Sequence, residues 1–333
     1  MSTSSVTQDE YGAPGLMGLS NYGLSCCVNS LLQSFSATQE FTELLNRWQM
    51  SDTDIPEDCN TPLQLQRLLR KMQSDKSHTA HHEDFLRCLD RNHIQLYVQH
   101  DVDEVFLSIL NLIQQQISDK ELAQEIKQLY KITVEQNLQC QTCFYLTKDT
   151  SYFLSLPLPI SDCSNTVENC IHCFFELQDI TGNFCLCERC GERKPTKQGF
   201  KLVSLPNVLC LHLKRSGYSL RSGYTKKLNC EVKFPEVLDF QTILRRDQIS
   251  ESTQEEERKY DLFAVIVHCG TALFGHYTAY IKSSSDQSWN HADDSYVRKV
   301  SWKDVESTFG GSRRCAYMLM YQRRQDKMPQ SSN

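Results

Sequence analysis

Residues 19–35 read LSNYGLSCCVNSLLQSF, a polar, glycine-bearing lead that turns at Ser25 into helical spacing. Val28, Leu31, Leu32 and Phe35 fall at i, i+3, i+4 and i+7, so the periodicity predicts a helix beginning at or just after Ser25. Cys26 and Cys27 then lie at its N-terminal end, where unpaired N–H groups and the positive end of the helix dipole favour a thiolate. The same N–H groups can hold a developing oxyanion. Gly18 and Gly23 let the chain turn tightly ahead of the helix. Taken alone, the segment reads rather as two inert thiols packed in a helix.

Downstream, helical spacing persists to about residue 130. TPLQLQRLLRKM (61–72) opens with Thr61 as the expected N-cap and Pro62 in the first helical position, and buries Leu65, Leu68, Leu69 and Met72. QHDVDEVFLSILNLI (99–113) aligns Val102, Val105, Phe106, Ile109, Leu110 and Ile113 on one stripe. From 131 the period becomes two: KITVEQNL, TSYFLSLPL, VLCLHLKR, DLFAVIVH, HYTAYI and CAYMLMY read as strands. Helices followed by strands imply an α+β fold rather than alternating βαβ units. RSGYSLRSGYT (215–225) and the acidic SESTQEEERK (250–259) read as surface loops, and no repeat of solenoid length occurs.

The 333 residues carry 35 Lys and Arg against 41 Asp and Glu, a net charge of −6 that argues against nucleic acid as the main partner. No apolar run approaches the roughly 20 residues of a membrane-spanning helix, and MSTSSVTQDEYG lacks a signal-peptide core. The expectation is a monomer of the cytoplasm, also compatible with the nucleus, without membrane insertion. Sixteen cysteines in a reducing compartment then read as metal ligands, a reactive thiol and small buried hydrophobes rather than disulfides.

Two further constellations carry chemistry. FGHYTAYI (274–281) sets His276 after Gly275 on an expected strand, and SWNHADDSYV (288–297) follows with Asp293 and Asp294. A carboxylate there can hold the His276 imidazole in one tautomer, giving with Cys26 the parts of an activated thiol. Secondly, Cys140-x-x-Cys143 and Cys187-x-x-Cys190 match a tetrahedral zinc bound by four thiolates. The 43 residues between the pairs exceed the usual zinc-ribbon gap, which weakens the spacing as a signal; the knuckles can still meet if each sits at a turn of adjacent β-ribbons. Cys185 is a competing ligand, and a thioredoxin-like redox role is the weaker reading because neither pair opens a helix after a strand.

Together these segments resemble the ubiquitin-specific protease family. GLSNYGLSCCVNSLLQ is similar to its cysteine box, GHYTAYI to its histidine box and QHDVDEVF to the helix start beside its substrate channel. SLPNVLCLHLKR, YDLFAVIVHCG and AYMLMYQR are similar to its palm strands, so the resemblance spans residues 16–323 in order. It implies a papain-like core arranged as a right hand: a helical thumb at about 16–130, zinc-bearing β fingers at 131–200 and a β palm at 201–323. Tails at 1–15 and 324–333 flank it. Cys26 then corresponds to the nucleophile, His276 to the general base and Asp293 to its orienting partner. Asn21 matches an oxyanion-hole amide, and Asp294 a second acid assisting His276 or the oxyanion water. Asp101 matches an acid that binds the basic modifier tail, although Asp101-x-x-Glu104 also reads as a capping box.

The resemblance implies a thiol isopeptidase that removes a ubiquitin-like modifier from lysine, with structural Zn2+ and no organic cofactor. The Cys26–Cys27 doublet and HCFF (172–175) point to the interferon-stimulated modifier of two ubiquitin-like domains, with ubiquitin as a second substrate. Departures from the family pattern are Cys27 for an aromatic, Leu24 for a polar residue and Ala292 for phenylalanine. The alternatives are a catalytically weak modifier-binding or signalling scaffold, a general deubiquitinase, and a papain-like peptidase of broad specificity.

Overall fold

The computed structural model describes residues 16–50, 55–74, 79–95, 98–160, 165–219, 224–251, 253 and 259–324. The terminal stretches, most of the acidic run 250–259 and residues 220–223 lie outside the described residues. The stretch 215–225 is not a plain surface loop: Ser216–Ser219 and Tyr224–Lys227 pair antiparallel, and Arg215 is buried. The chain divides into two compact units, one formed by the residues up to 123 with 263–308, the other by 124–262 with the residues from 309.

The first unit joins helices to an antiparallel meander. Its helices include Cys26–Ala37, Gln39–Arg47, Thr61–Ser74, Glu83–Arg91 and Val102–Gln116. Leu31, Leu32, Phe41, Leu65, Phe85, Phe106 and Ile109 are 0–1% exposed, so the apolar stripes read from the sequence do form the core. Phe35 stacks on Phe41 at 4.8 Å and on Phe106 at 5.8 Å, tying three helices together. Each such buried side chain contributes roughly 1.5–3 kcal/mol. One correction concerns a cap. Asn60, not Thr61, accepts from Leu63 N at 3.0 Å, while Thr61 N is satisfied by Gln116 Oε1 at 2.7 Å. Thr61 is already helical, and Pro62 has no N–H, so the first backbone donor within reach of a cap is that of Leu63.

The meander runs through the end of Lys259–Gly270, then Gly275–Lys282, Trp289–Asp293 and Tyr296–Val300. Cys269 pairs with His276, Ala279 with Ala292, and Asp293 with Tyr296. The helix Cys26–Ala37 packs directly on the strand Gly275–Lys282. That contact brings residues 250 positions apart in sequence to one place.

In the second unit a four-stranded antiparallel sheet has the order Leu146–Phe153, Ile132–Cys140, Glu192–Ser204, Gln178–Cys187. TSYFLSLPL is not one strand. It breaks at Leu154–Ser155, and Leu156–Pro159 leaves to pair in parallel with Val208–Lys214. Pro157 and Pro159 cannot donate to a ladder on both sides, which fits this short strand. Val208–Lys214 also pairs antiparallel with Arg314–Arg323. Next to it the fully buried Arg215 donates to the carbonyls of Ala316, Leu228, Cys230 and Phe309 at 2.6–3.0 Å, so its charge is held by backbone dipoles.

Candidate active site

The helix that begins at Cys26 leaves its first N–H groups without a side-chain cap, and its first turn holds no acid. Ser25 is diverted. Its Oγ accepts from Tyr22 N at 2.9 Å and donates to Asn21 Oδ1 at 3.3 Å. The helix start is therefore an electropositive end with donors to spare.

Gly275, just before His276, is required: a Cβ there would lie 2.2 Å from His268 Nε2 and 2.4 Å from the Cys269 carbonyl. The turn before it depends on Gly270, whose φ of +139° suits glycine alone. Gln99 braces the same strand, accepting from Gly275 N at 3.0 Å through Oε1 and contacting His268 Nε2 at 3.1 Å through Nε2. His276 Nε2 meets Asp293 Oδ1 at 2.6 Å and lies 3.9 Å from Asp294 Oδ2. With Nε2 committed to Asp293, Nδ1 is left for Cys26. The hydrogen bond to Cys26, and then that to Asp293, outweigh partial burial and push the His276 pKa up to about 9.

Cys26 and Cys27 are equally enclosed, 5% and 4% exposed, so accessibility does not separate them. Their partners do. Cys26 engages His276, whereas burial first, then the charges of Cys26 and Asp101, push the Cys27 thiol well above its ordinary pKa. Asp101 thus acts electrostatically on Cys27 while also capping its own helix, accepting from Asp103 N at 2.8 Å. Ala292 is buried opposite Ala279, and Leu24, at the lip of the helix start, is 42% exposed.

Asp294 occupies the turn after Asp293 with φ +51°, and Leu19 N donates to its carbonyl at 2.9 Å. Gly18 allows that approach, since a Cβ there would lie 2.3 Å from the Ser295 carbonyl oxygen. The Asp294 carboxylate accepts from Asn21 Nδ2 on Oδ2 and from Asn29 Nδ2 on Oδ1, both at 2.7 Å. Cys26, His276, Asp293, Asp294 and Asn21 therefore gather in one cluster. Gln99 and Asn29 are members that sequence reading missed; the signal for Asn29 was a buried amide inside an apolar helix.

A second cluster lies in the other unit. The sulfurs of Cys140, Cys143, Cys187 and Cys190 all fall within 4.8 Å of one another, with Cys143 and Cys187 at 3.5 Å. Antiparallel pairing of Ile132–Cys140 and Gln178–Cys187 with Glu192–Ser204 closes the long gap between the knuckles. Both knuckles turn alike: Phe144 and Gly191, each following the second cysteine, have φ of +58° and +71°. Their N–H groups bond the Cys140 and Cys187 carbonyls at 3.0 and 2.8 Å. Backbone N–H groups of Cys143 and Thr142 lower the Cys140 thiol to about 6, while hydrogen bonding to Cys143, burial and the other two sulfurs raise Cys190 to about 12. Four thiols this close cannot all ionise without a cation between them, so the donor set fits a metal ion. Cys185 is outside the group.

A thiol at a helix start facing an imidazole–carboxylate pair is the arrangement of a cysteine hydrolase. The chain belongs to the ubiquitin carboxyl-terminal hydrolase family, whose profile matches residues 17–321. Ubl carboxyl-terminal hydrolase 18 of Mus musculus is 37% identical over 316 residues, covering 92% of this chain and 85% of that protein. The Homo sapiens protein of the same name is 36% identical over 317 residues, with the same coverage. Ubiquitin carboxyl-terminal hydrolase 47 of Xenopus laevis is 29% identical, across 92% of this chain and 28% of that protein. The SAGA Ubp8/Sgf11/Sus1/Sgf73 DUB module bound to ubiquitin aldehyde shares the fold. Its TM-score is 0.76 at 24% identity, over 93% of this chain and 70% of the other.

Proposed function

We propose that the chain is a thiol isopeptidase that removes a ubiquitin-like modifier from lysine side chains. The observation that carries this reading is the convergence of the Cys26 helix start with the 2.6 Å His276–Asp293 pair. His276 takes the Cys26 proton, and the sulfur attacks the carbonyl carbon of the modifier's last glycine. The tetrahedral oxyanion is met by helix N–H groups and by the Asn21 amide, which Asp294 and Ser25 hold at its two ends. As the C–N bond breaks, the imidazolium gives its proton to the lysine amine. Water, deprotonated by His276, then attacks the thioester, releases the carboxylate and regenerates the thiol. Asp101 binds the basic tail of the modifier. The four finger cysteines would hold zinc, which supplies cross-linking of the two knuckles and, with four protein ligands, no open position for chemistry.

The pH profile follows from His276. Its folded pKa of about 9 lies above the ordinary 6.5, so the imidazolium and the stabilisation it gives are fully present below 6.5 and fade as pH rises through 9. In the thiolate–imidazolium pair formed when His276 takes the Cys26 proton, the imidazolium is the group lost at high pH, so the alkaline limb of kcat/KM falls near pH 9. Asp293→Asn removes the negative charge of one of the two raising partners and moves that limb to lower pH; a limb that stays in place contradicts the assignment.

The modifier we assign is the interferon-stimulated one with two ubiquitin-like domains. Support comes from relatives named as Ubl rather than ubiquitin hydrolases at 37% and 36% identity. Both modifiers end in a basic Gly-Gly tail, so discrimination falls to surfaces that meet the domain next to the tail. A difference of about 3 kcal/mol there gives roughly 100-fold preference. The test is kcat/KM on matched C-terminal aminocoumarin derivatives of the two-domain modifier and of ubiquitin. Faster release from the two-domain modifier is expected; equal or faster release from ubiquitin removes the selectivity and leaves the isopeptidase.

A further inference from the structure

Behind the cluster lies a buried polar chain that the reaction as written leaves out. Asn29 and His82 are 3% and 2% exposed. Asn29 Nδ2 donates to the Ser20 carbonyl at 3.2 Å and to Asp294 Oδ1 at 2.7 Å, two groups that only accept when Asp294 is ionised. The nitrogen end of this amide is thereby fixed, so its oxygen is the atom that faces His82 Nε2 at 2.7 Å. His82 must then carry its proton on Nε2. Were the proton on Nδ1 alone, Asn29 would gain by flipping, and its oxygen would be turned on a carboxylate oxygen.

We propose that His82 is a positioning residue for the oxyanion-binding amide, acting through Asn29 and Asp294 on Asn21. The donations converge on Asp294: His82 Nε2–H donates to Asn29, Asn29 to Asp294 Oδ1, and Asn21 from the other side to Asp294 Oδ2. With both carboxylate oxygens engaged, the Asp294 plane is fixed. Asn21, held by Asp294 at nitrogen and by Ser25 at oxygen, keeps its second N–H for the oxyanion. His82 reaches this work from the start of another helix, Glu83–Arg91, where Leu86 N bonds its carbonyl at 3.1 Å. Its hydrogen bond goes to Asn29 rather than to Cys26 or His276, so it should govern oxyanion stabilisation and leave the Cys26–His276 pair as it is.

The inference rests on the isopeptidase reading, and the experiment separates the two. Three variants are compared with wild type: His82→Leu, which removes the donor, His82→Gln, which keeps an N–H there, and Asn29→Asp, which is isosteric but sets a carboxylate against Asp294. Each is assayed for kcat and KM on modifier-aminocoumarin and for the rate of Cys26 alkylation by iodoacetamide, a displacement that needs the thiolate but no oxyanion hole. His82→Leu and Asn29→Asp should lose about 10- to 100-fold in kcat, with KM and alkylation rate nearly unchanged. His82→Gln should recover most of that loss. A structural role alone predicts lower folded fraction with normal turnover per folded molecule. The proposal is overturned if both donor-removing variants turn over normally, if His82→Gln fails to rescue, or if alkylation falls in step with kcat. Should His82→Leu not fold, Asn29→Asp decides. Wild-type enzyme that releases no fluorophore rejects the isopeptidase reading, and this inference with it.

Discussion

Replacing Cys26 by alanine should abolish turnover, lowering kcat by roughly four to six orders of magnitude, as loss of a nucleophile does in enzymes whose triad acts as a unit. Cys27→Ala should leave kcat/KM within a few-fold of wild type and cost about 1 kcal/mol of stability, the ordinary loss for a small buried group. The contrast follows from what acts on each thiol. Cys26 is the largest of the influences that hold the His276 imidazole toward its charged form. Cys27, enclosed and under the negative charge of Asp101, is driven toward the neutral thiol. A matched assay of the two variants, with folding checked by circular dichroism, decides between them. Turnover lost in Cys27→Ala and kept in Cys26→Ala would reverse the assignment.

The second large effect concerns stability. Protein purified without chelator should carry about one zinc per chain, and Cys187→Ser should lose it together with much of the stability of the second unit. Structural zinc in comparable four-ligand sites binds with about 10–16 kcal/mol near neutral pH, and that binding energy is folding energy. Cys187 is buried and lies 3.5 Å from Cys143, so serine there leaves three crowded thiols without a complete cage. Metal analysis beside calorimetry of both proteins measures this. Unchanged melting in Cys187→Ser, or wild-type protein without metal, would refute the structural role.

Some of this was legible in the chain because the cue was local. The helix start at Cys26 follows from four apolar positions and the polar lead before them. His276 stands out by the glycine ahead of it, which the structure explains by the closeness of His268 and Cys269. The cysteine knuckles declare themselves as pairs, and only their meeting needed the sheet. What stayed hidden depends on partners far apart in sequence. Asn29 reads as a polar blemish on an apolar helix until Asp294, 265 residues away, comes into view. Gln99 lies inside a stretch singled out for Asp101, yet its bond to Gly275 spans 176 residues. The split of TSYFLSLPL is hidden for a related reason: alternation continues through Leu154–Ser155, and the change of partner strand leaves no mark in the period. The Thr61 cap failed by one residue because Asn60 and Thr61 are both good caps, and packing against Gln116 decides between them.

The central claim, a Cys26 nucleophile aimed at the tail of a ubiquitin-like modifier, is tested most directly by covalent capture. The two-domain modifier carrying a C-terminal electrophile in place of its last glycine's carboxylate is incubated with the wild-type protein, and the adduct is mapped by peptide mass spectrometry. One modifier per chain, attached to Cys26 and absent when His276 is replaced by alanine, is the predicted result. Attachment at Cys27 or at a finger cysteine, or tight binding with no covalent bond formed, would contradict the account and leave a modifier-binding scaffold in its place.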